Sequence, residues 1–303
     1  MSKQRSITTG LITGLLLTLS QASLAVEFKT TQLSDTLSVL KGQGGNIAIS
    51  SGADGVFIID DQVAPVTDGL LDAIRKVSDQ PIRYVINTHY HGDHVGGNEK
   101  IGKTGTVIVA HNNVYTRMNS EQFSNFMQKS TPAYPAAAMP NITFNDEATL
   151  HFNGETAVAY HIANAHTDGD ALVHFPQSNV IHMGDIWFNG WYPYVDLDAG
   201  GSIQGFLKGV NKALSLANKD TKFIAGHGEP LGTRADIKAY GEFLTEAIKS
   251  VQALIDEGKN LKQIIALTPT AKWDDSLGKV WIKPDQFVTM IYNSLQGIHE
   301  YKQ

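Results

Sequence analysis

The chain has 303 residues, no cysteine and a formal net charge of −6 at pH 7. Without thiols it cannot form disulfides, a thiolate metal site or a cysteine nucleophile, so any metal must be held by His and carboxylate side chains. The acidic balance also argues against nucleic-acid binding, which needs a basic surface.

The first 25 residues have the features of a secretory signal peptide. Lys3 and Arg5 give a positive start, residues 11–17 form a short apolar run, and Ala25 ends a stretch suited to cleavage. The apolar run is shorter than the ~18 residues expected of a membrane span. We therefore predict cleavage after Ala25 and a mature protein in the periplasm or outside the cell, without a stable membrane anchor. Cleavage removes two basic residues and no acidic one, which takes the formal charge from −6 to −8.

The first half of the remaining chain combines short strands with helices. Apolar runs predict strands at 46–50, 55–59, 82–87 and 106–110. Helical spacing of apolar residues predicts a helix over 66–78, and Asn112 starts a second helix. Residues 123–140 are rich in Ala, Met and Pro and show weak periodicity. The segment 117–140 is either a surface connection between two halves or a lid near the functional site.

The loop after the strand at 82–87 carries the strongest chemical signal. It contains His89, His91, Asp93 and His94 within six residues. Imidazole nitrogens and carboxylate oxygens are natural ligands of zinc and similar metals. Because residues two apart on an extended chain project to the same side, His89 and His91 can meet at one point. Gly92 permits a sharp turn that lets Asp93 and His94 face a second point nearby.

The second half repeats the pattern of strands followed by polar turns. It predicts strands at 148–152, 157–162, 171–175, 180–183 and 222–225, and helices at 202–214, 234–257 and 284–300. His166, Asp185 and His227 each lie in or next to a turn beside one of these strands, close to a glycine. Since active sites of layered proteins gather in loops at strand ends, these residues supply what a two-metal site still lacks.

The motif His89-x-His91-x-Asp93-His94, followed by His166, Asp185 and His227, resembles the metal-binding pattern of the metallo-β-lactamase superfamily. The resemblance divides the ligands into two sets. His89, His91 and His166 would hold one metal; Asp93, His94 and His227 would hold the other; Asp185 would bridge them. The best-known zinc β-lactamases place a cysteine where this chain has Asp185.

The same resemblance implies an α+β fold, a four-layer αββα sandwich of two mixed sheets with helices outside. The clustering of strands within each half, with helices after them, agrees with this arrangement. We predict a single domain over 26–303, whose halves cover roughly 26–145 and 146–303.

The expected chemistry is hydrolysis with two zinc ions per chain. A hydroxide that bridges two metals roughly 3.5–4 Å apart would attack a carbonyl of a small molecule, which is an ester, lactone, thioester or amide, with β-lactams included. Asp93 would orient the water or carry its proton. Asp168 or Asp170 is a candidate for orienting a metal-bound histidine. The aromatic segment 187–194 forms either packed core or an apolar wall for the substrate.

Other classes of function stay open at this point. An iron-dependent redox protein or sulfur oxygenase of the same fold would carry iron, and a phosphodiesterase would need a site for a phosphate ester. A non-catalytic metal-binding protein is the third class. The sequence gives no prediction of oligomeric state.

Overall fold

The structure is a computed structural model that describes residues 27–302. The predicted signal peptide, residues 1–25, lies outside the described residues. The elements of the first half are β1 (Lys29–Gln32), β2 (Leu37–Lys41), β3 (Ile47–Gly52), β4 (Gly55–Ile59), α1 (Thr67–Val77), β5 (Ile82–Ile86), α2 (Asn98–Gly102), β6 (Val107–His111), α3 (Asn112–Met118), β7 (Gln122–Ser124), β8 (Lys129–Thr131) and β9 (Ile142–Phe144), with 3-10 turns at Ala64–Val66 and Ala136–Ala138.

The second half follows in the same way. Its elements are β10 (Glu147–Phe152), β11 (Glu155–His161), β12 (Ala171–Phe175), β13 (Val180–His182), a 3-10 turn at Gly184–Ile186, β14 (Phe188–Asn189), α4 (Ile203–Leu216), β15 (Lys222–Ile224), β16 (His227–Gly228), β17 (Leu231–Thr233), α5 (Arg234–Asp256), α6 (Leu261–Ala266), α7 (Ala271–Leu277) and α8 (Pro284–Leu295).

Two mixed sheets form the centre of the molecule. The first has seven strands in the order β1-β2-β3-β4-β5-β6-β9, antiparallel from β1 to β4 and parallel from β4 onward. The second has six strands in the order β10-β11-β12-β13-β15-β17, in which β13 and β15 are the parallel pair. Within residues 27–302, β7 and β8 pair only with each other and form a separate hairpin.

Strand β4 shows how the first sheet is buried on both faces. Phe57 and Ile59 point toward the second sheet, where Phe57 stacks on Phe175 with ring centroids 6.0 Å apart. Val56 and Ile58 point the other way and pack with residues of α1 and α2. This burial explains why the strand is an unbroken apolar run rather than an alternating one.

The outer face of the second sheet is covered in the same way. Leu172 and Phe223 of that sheet pack against Phe206 of α4, Leu244 of α5 and Phe287 of α8. The layers therefore follow the order helix, sheet, sheet, helix, which confirms the predicted αββα sandwich. The proposed domain limits of 26–303 stay a prediction.

The last helix is shorter than the sequence predicted. It ends at Leu295, not near residue 300, so His299 lies beyond it. Gly297 has a φ of +66°, a left-handed conformation that ends helices, and the backbone N–H of Ile298 donates to the carbonyl of Asn293 at 2.8 Å. The prediction of a helix over 284–300 was wrong at its C-terminal end, because Gly297 stops the helix inside the apolar pattern.

Across residues 27–302, no helix is both long enough and apolar enough to cross a membrane.

Candidate metal centre

The strands of both sheets bring the predicted ligands to one place. Residues 89–94 follow β5, and Asp185 lies in the turn after β13. His227 follows the parallel neighbour β15, and His166 lies in the loop between β11 and β12. Side chains far apart in sequence therefore meet where the two sheets end together, as expected for layered folds.

The structure places all seven candidate residues in two adjacent groups. One ligand atom of each of His89, His91, His166 and Asp185 lies within 4.8 Å of the others, and the same is true of Asp93, His94 and His227. The two groups contain the residues that the resemblance assigns to the two metals, with Asp185 in the first group. That the residues bind metal stays a prediction.

Asp185 is placed between the two groups. Its Oδ2 atom lies 3.5 Å from Nε2 of His166 and 3.3 Å from Nε2 of His227, and its Oδ1 atom lies 3.2 Å from Nε2 of His94. The side chain is buried and faces both sets of imidazoles. This position suits a bridging carboxylate.

Two glycines make room for this arrangement. A Cβ atom at Gly45 would lie 2.3 Å from the imidazole of His94, and one at Gly226 would lie 2.1 Å from Oδ1 of Asp185. Backbone thus approaches both side chains more closely than any other residue would allow.

The hydrogen bonds behind His89 fix its protonation pattern. The hydroxyl of Thr88 donates to Oδ2 of Asp60 at 2.8 Å, so its oxygen is left to accept from Nδ1 of His89 at 3.0 Å. Since a neutral imidazole carries one N–H, Nε2 of His89 holds a lone pair. That atom is buried and has no hydrogen-bond partner among the described residues. An unpartnered buried lone pair is what a metal ligand offers.

Three further imidazoles are held in the same manner. Nε2 of His91 donates to Oδ2 of Asp196 at 2.8 Å, and Nδ1 of His166 donates to the carbonyl of Tyr194 at 2.7 Å. Nδ1 of His94 donates to Oδ2 of Asp60 at 2.8 Å. Each imidazole thus turns its remaining lone pair inward, and those of His91 and His166 face each other across 2.8 Å. Such outer partners commonly orient metal ligands.

The pKa values of His89 and His166 agree with this pattern, whereas those of His94 and His227 are shifted the other way by nearby carboxylates. Burial lowers the pKa of His166 to about 4, and burial also lowers the pKa of His89 well below its usual value. Both rings are therefore neutral. Burial by itself would lower the pKa of His94 and His227, but the surrounding carboxylates outweigh burial and raise both pKa values. Asp185 has the largest influence among these carboxylates, and the pKa of His227 rises to about 9. The same carboxylates would stabilise a bound cation.

The residues present therefore fit a divalent metal. Imidazole nitrogens and carboxylate oxygens converge in both groups, a buried carboxylate joins them, and every donor atom is nitrogen or oxygen.

The sequence did not identify the residues that orient the imidazoles. Asp60 lies at the end of the apolar strand β4 and has a φ of +65°, so its position at a strand end was the signal available. Asp196 is 105 residues from His91 in sequence, and no spacing pattern connects them.

The expected roles of Asp168 and Asp170 are different in the structure. Asp168 accepts from Nε and Nη2 of Arg117 at 2.7 Å each. Asp170 accepts from the backbone N–H and the hydroxyl of Thr167 at 2.9 and 2.6 Å. Asp170 therefore holds the turn that carries His166, whereas the expectation was a carboxylate on the imidazole itself.

A cavity of about 740 Å³ opens above the two groups. His91, Asp93, Asp185 and His227 are among the residues that line it. Its walls are mostly apolar and include Val63, Pro65, Val95, Phe123, Met127, Tyr134, Trp191, Tyr194 and Trp281. The space suits a small molecule with a substantial apolar part.

The aromatic segment 187–194 divides between the two predicted roles. Trp187 and Tyr192 are buried, and Tyr192 stacks on Phe287 of α8. Trp191 and Tyr194 line the cavity, and Trp191 stacks on His227 with centroids 5.7 Å apart. The core and wall interpretations are each correct for part of the segment.

Comparisons with known proteins give the same picture. The sequence model of a family described as the metallo-beta-lactamase superfamily matches residues 45–227. A metallo-beta-lactamase from Pontibacter korlensis is 18% identical, with a TM-score of 0.59, and the match covers 72% of this chain and 99% of that one. The metallo-beta-lactamase IND-7 is 20% identical, with a TM-score of 0.57, over 72% of this chain and 98% of that one.

A sec-alkylsulfatase, Pisa1 from Pseudomonas sp., matches over more of the chain. It is 16% identical, with a TM-score of 0.66, and the match covers 88% of this chain and 50% of the sulfatase. These likenesses to solved structures establish the fold. Together with the family match and the cluster of His and Asp ligands, they lead to one conclusion: the chain belongs to the metallo-beta-lactamase superfamily and is a metal-dependent hydrolase of that superfamily.

Proposed function

We propose that the mature chain is an exported dinuclear zinc hydrolase that cleaves a small molecule at a carbonyl group. The substrate is an ester, lactone, thioester or amide, and β-lactams are candidates within that range. The observation that carries this proposal is the set of oriented imidazoles that converge beside Asp185, next to a mostly apolar cavity.

The seven ligands would hold the two ions in the arrangement of the two groups. His89, His91 and His166 would hold one zinc, Asp93, His94 and His227 the other, and Asp185 would contact both. Zinc suits an all-nitrogen and oxygen donor set rich in histidine. When bound, such a pair supplies Lewis-acid polarisation and an ionised water near neutral pH.

Asp93 is the catalytic carboxylate in this proposal. Its side chain is 33% exposed, and its Oδ2 atom lies 3.1 Å from Nε2 of His227. Burial raises the pKa of Asp93, but His94 and His227 outweigh this and hold the pKa below its usual range. An ionised carboxylate at the cavity wall can take a proton from water and deliver it to the departing group.

A sulfate ester is the second candidate substrate. The alkylsulfatase match covers 88% of the chain, compared with 72% for the two β-lactamases, and the cavity walls are apolar enough for an alkyl group. Hydrolysis of an alkyl sulfate would use the same ligands. A phosphodiesterase and an iron-dependent oxygenase are weaker alternatives from the same fold.

Export is proposed from the N-terminal sequence alone. Mass spectrometry of the periplasmic or secreted protein would test it: we expect a chain that begins at Val26. A full-length chain retained in the cytoplasm would contradict export without affecting the metal site.

The function is tested by metal analysis of the mature, tag-free protein, combined with a substrate screen. The screen uses chromogenic esters, lactones, thioesters and cephalosporins, with an alkyl sulfate and a phosphodiester as alternatives. We expect about two zinc per chain and carbonyl-ester turnover that Asp93→Asn reduces, whereas the control Asp72→Asn, an exposed carboxylate of α1, retains it. Iron with a visible absorption band, or turnover of the sulfate or phosphate ester alone, would contradict the proposal.

A further inference from the structure

The cavity above the metal centre is partly covered by the hairpin of β7 and β8, residues 122–131. Phe123, Met127 and Lys129 of this hairpin line the cavity. The hairpin belongs to neither large sheet. These three side chains therefore face any molecule that reaches the metal centre through the cavity.

Lys129 differs from every other charged residue of the cavity wall. Among the described lining residues it is the only lysine or arginine. The acidic lining residues already have partners, since Asp196 accepts from His91 and Glu99 pairs with Lys103. Lys129 has no carboxylate within ion-pair distance in the described part of the chain. An uncompensated ammonium beside apolar walls favours an anionic group on the bound molecule.

The turn of the hairpin is anchored by side-chain contacts, which fix the backbone next to Lys129. The backbone N–H and the side-chain amide of Asn125 donate to the two carboxylate oxygens of Asp198 at 2.7 and 2.8 Å. Phe126 packs against Tyr194 and Trp281 with ring centroids 5.1 and 6.1 Å away. Residues on a fixed turn lose less freedom when a ligand binds.

We propose that Lys129 is a specificity residue that pairs with an anionic group, distant from the scissile bond, on an otherwise apolar substrate. This rests on the proposed function and narrows it. The substrate class is an amphiphilic acyl compound: the carbonyl lies at the metal centre, an apolar chain fills the cavity, and a carboxylate or sulfonate reaches the hairpin.

The test uses two esters that differ in one group. Mono(4-nitrophenyl) suberate has a terminal carboxylate, and its terminal-amide analogue is neutral but of equal length. For Lys129→Ala we expect the KM of the suberate to rise about 1.5-fold to fivefold, the range of an exposed ion pair, while kcat and the KM of the amide are unchanged. Lys129→Glu should raise the KM of the suberate further. The preference of the wild type for the suberate over the amide should weaken in high salt.

Lys262→Ala serves as the matched control, because Lys262 is an exposed lysine of α6 outside the cavity wall. It should leave both KM values unchanged. Equal changes for the two esters in Lys129→Ala, or no change for either, would overturn the proposal.

A binding experiment separates this proposal from the proposed function. If the wild-type protein cleaves neither ester, fluorescence titration with 11-(dansylamino)undecanoic acid and its primary amide decides. If Lys129→Ala binds the acid more weakly than the wild type does, but binds the amide equally well, the anion site is supported although carbonyl hydrolysis has failed. Equal binding of the acid to wild type and variant rejects it.

Discussion

The floor and the roof of the cavity are built in different ways. The floor consists of the seven His and Asp residues, which follow buried strands and are mostly held by buried partners. The roof is the hairpin 122–131, where Phe123 and Met127 are 49% and 52% exposed. A buried floor and an exposed roof would separate the chemistry from substrate selection, because substitutions in the exposed hairpin should leave the geometry of the candidate ligands intact.

The largest effect is expected for the residue that both groups of the floor share. Asp185→Ala removes the carboxylate that faces His166, His94 and His227. Loss of partners behind a ligand already costs about 10–100-fold in metal affinity, so loss of a shared ligand should lower occupancy of both ions and activity by more than about 100-fold. Metal analysis after dialysis measures this. Two ions per chain retained in Asp185→Ala would show that the carboxylate does not bridge.

A smaller effect is expected one layer behind the floor. Asp196→Asn keeps the size of the side chain but replaces the ionised partner of His91 Nε2. Metal affinity of the group that contains His89, His91 and His166 should fall by about 10–100-fold. Chelator competition with the wild-type protein measures the change.

Asp198→Asn is the matched comparison in the roof. Asp198 is two residues from Asp196 but contacts Asn125 of the hairpin. Its metal affinity should equal that of the wild type. Equal losses in the two variants would mean that floor and roof are not independent.

A still smaller effect is expected from loosening the roof itself. Phe126→Ala removes the ring that packs against Tyr194, Trp281 and Tyr301. We expect faster amide exchange in 122–131 and a KM raised by about threefold, with metal content unchanged, because exposed aromatic contacts contribute about 0.5–1.5 kcal/mol. Hydrogen exchange and steady-state kinetics measure the two effects. A loss of bound metal would show that the hairpin also supports the metal centre.

The smallest effect is expected where the two sheets meet away from both regions. The rings of His111 and His161 stack with centroids 3.7 Å apart. Burial, and then His161, lowers the pKa of His111 from 6.5 to about 4. Between these pH values the unfolded chain binds more protons than the folded one, so the free energy of unfolding falls as the pH drops through this window.

His111→Asn should make that fall shallower. Asparagine retains the cap that His111 provides to the backbone N–H of Asn113 but does not titrate. Urea unfolding at pH 7 and pH 5 measures the slope, and His151→Asn, at an exposed position on β10, controls for loss of a strand histidine. Identical slopes in wild type and His111→Asn would exclude a contribution from the stack.

The floor was more predictable from the sequence than the roof. Metal ligands are restricted to few residue types, and Asp185 and His227 each follow an apolar strand. Residue type and position in the sequence therefore both indicate the same candidate ligands. The strands that were predicted and the helices α1, α4 and α5 lie within a few residues of their predicted bounds, because their apolar periodicity reflects burial on one or both faces. The helix of α4 was also located by its cap, since Ser202 accepts from the backbone N–H of Gly205.

Other features depend on tertiary contacts that no local pattern encodes. The hairpin has three-residue strands that are stabilised by Asp198 and by aromatic packing of Phe126. Its sequence pattern alone therefore predicts an irregular connection. The helices α6 and α7 are short and show little periodicity. Asp60 and Asp196 are single carboxylates whose partners are 34 and 105 residues away. Thus the sequence predicted the candidate donors that the structure brings together, and it left out the residues that orient them.

Anomalous diffraction at the zinc edge from crystals of the zinc-loaded mature protein tests the two-metal floor most directly. We expect two peaks, one within ligand distance of His89, His91 and His166 and one near Asp93, His94 and His227, with Asp185 in contact with both. A single peak, or two peaks of which neither touches Asp185, would contradict the account.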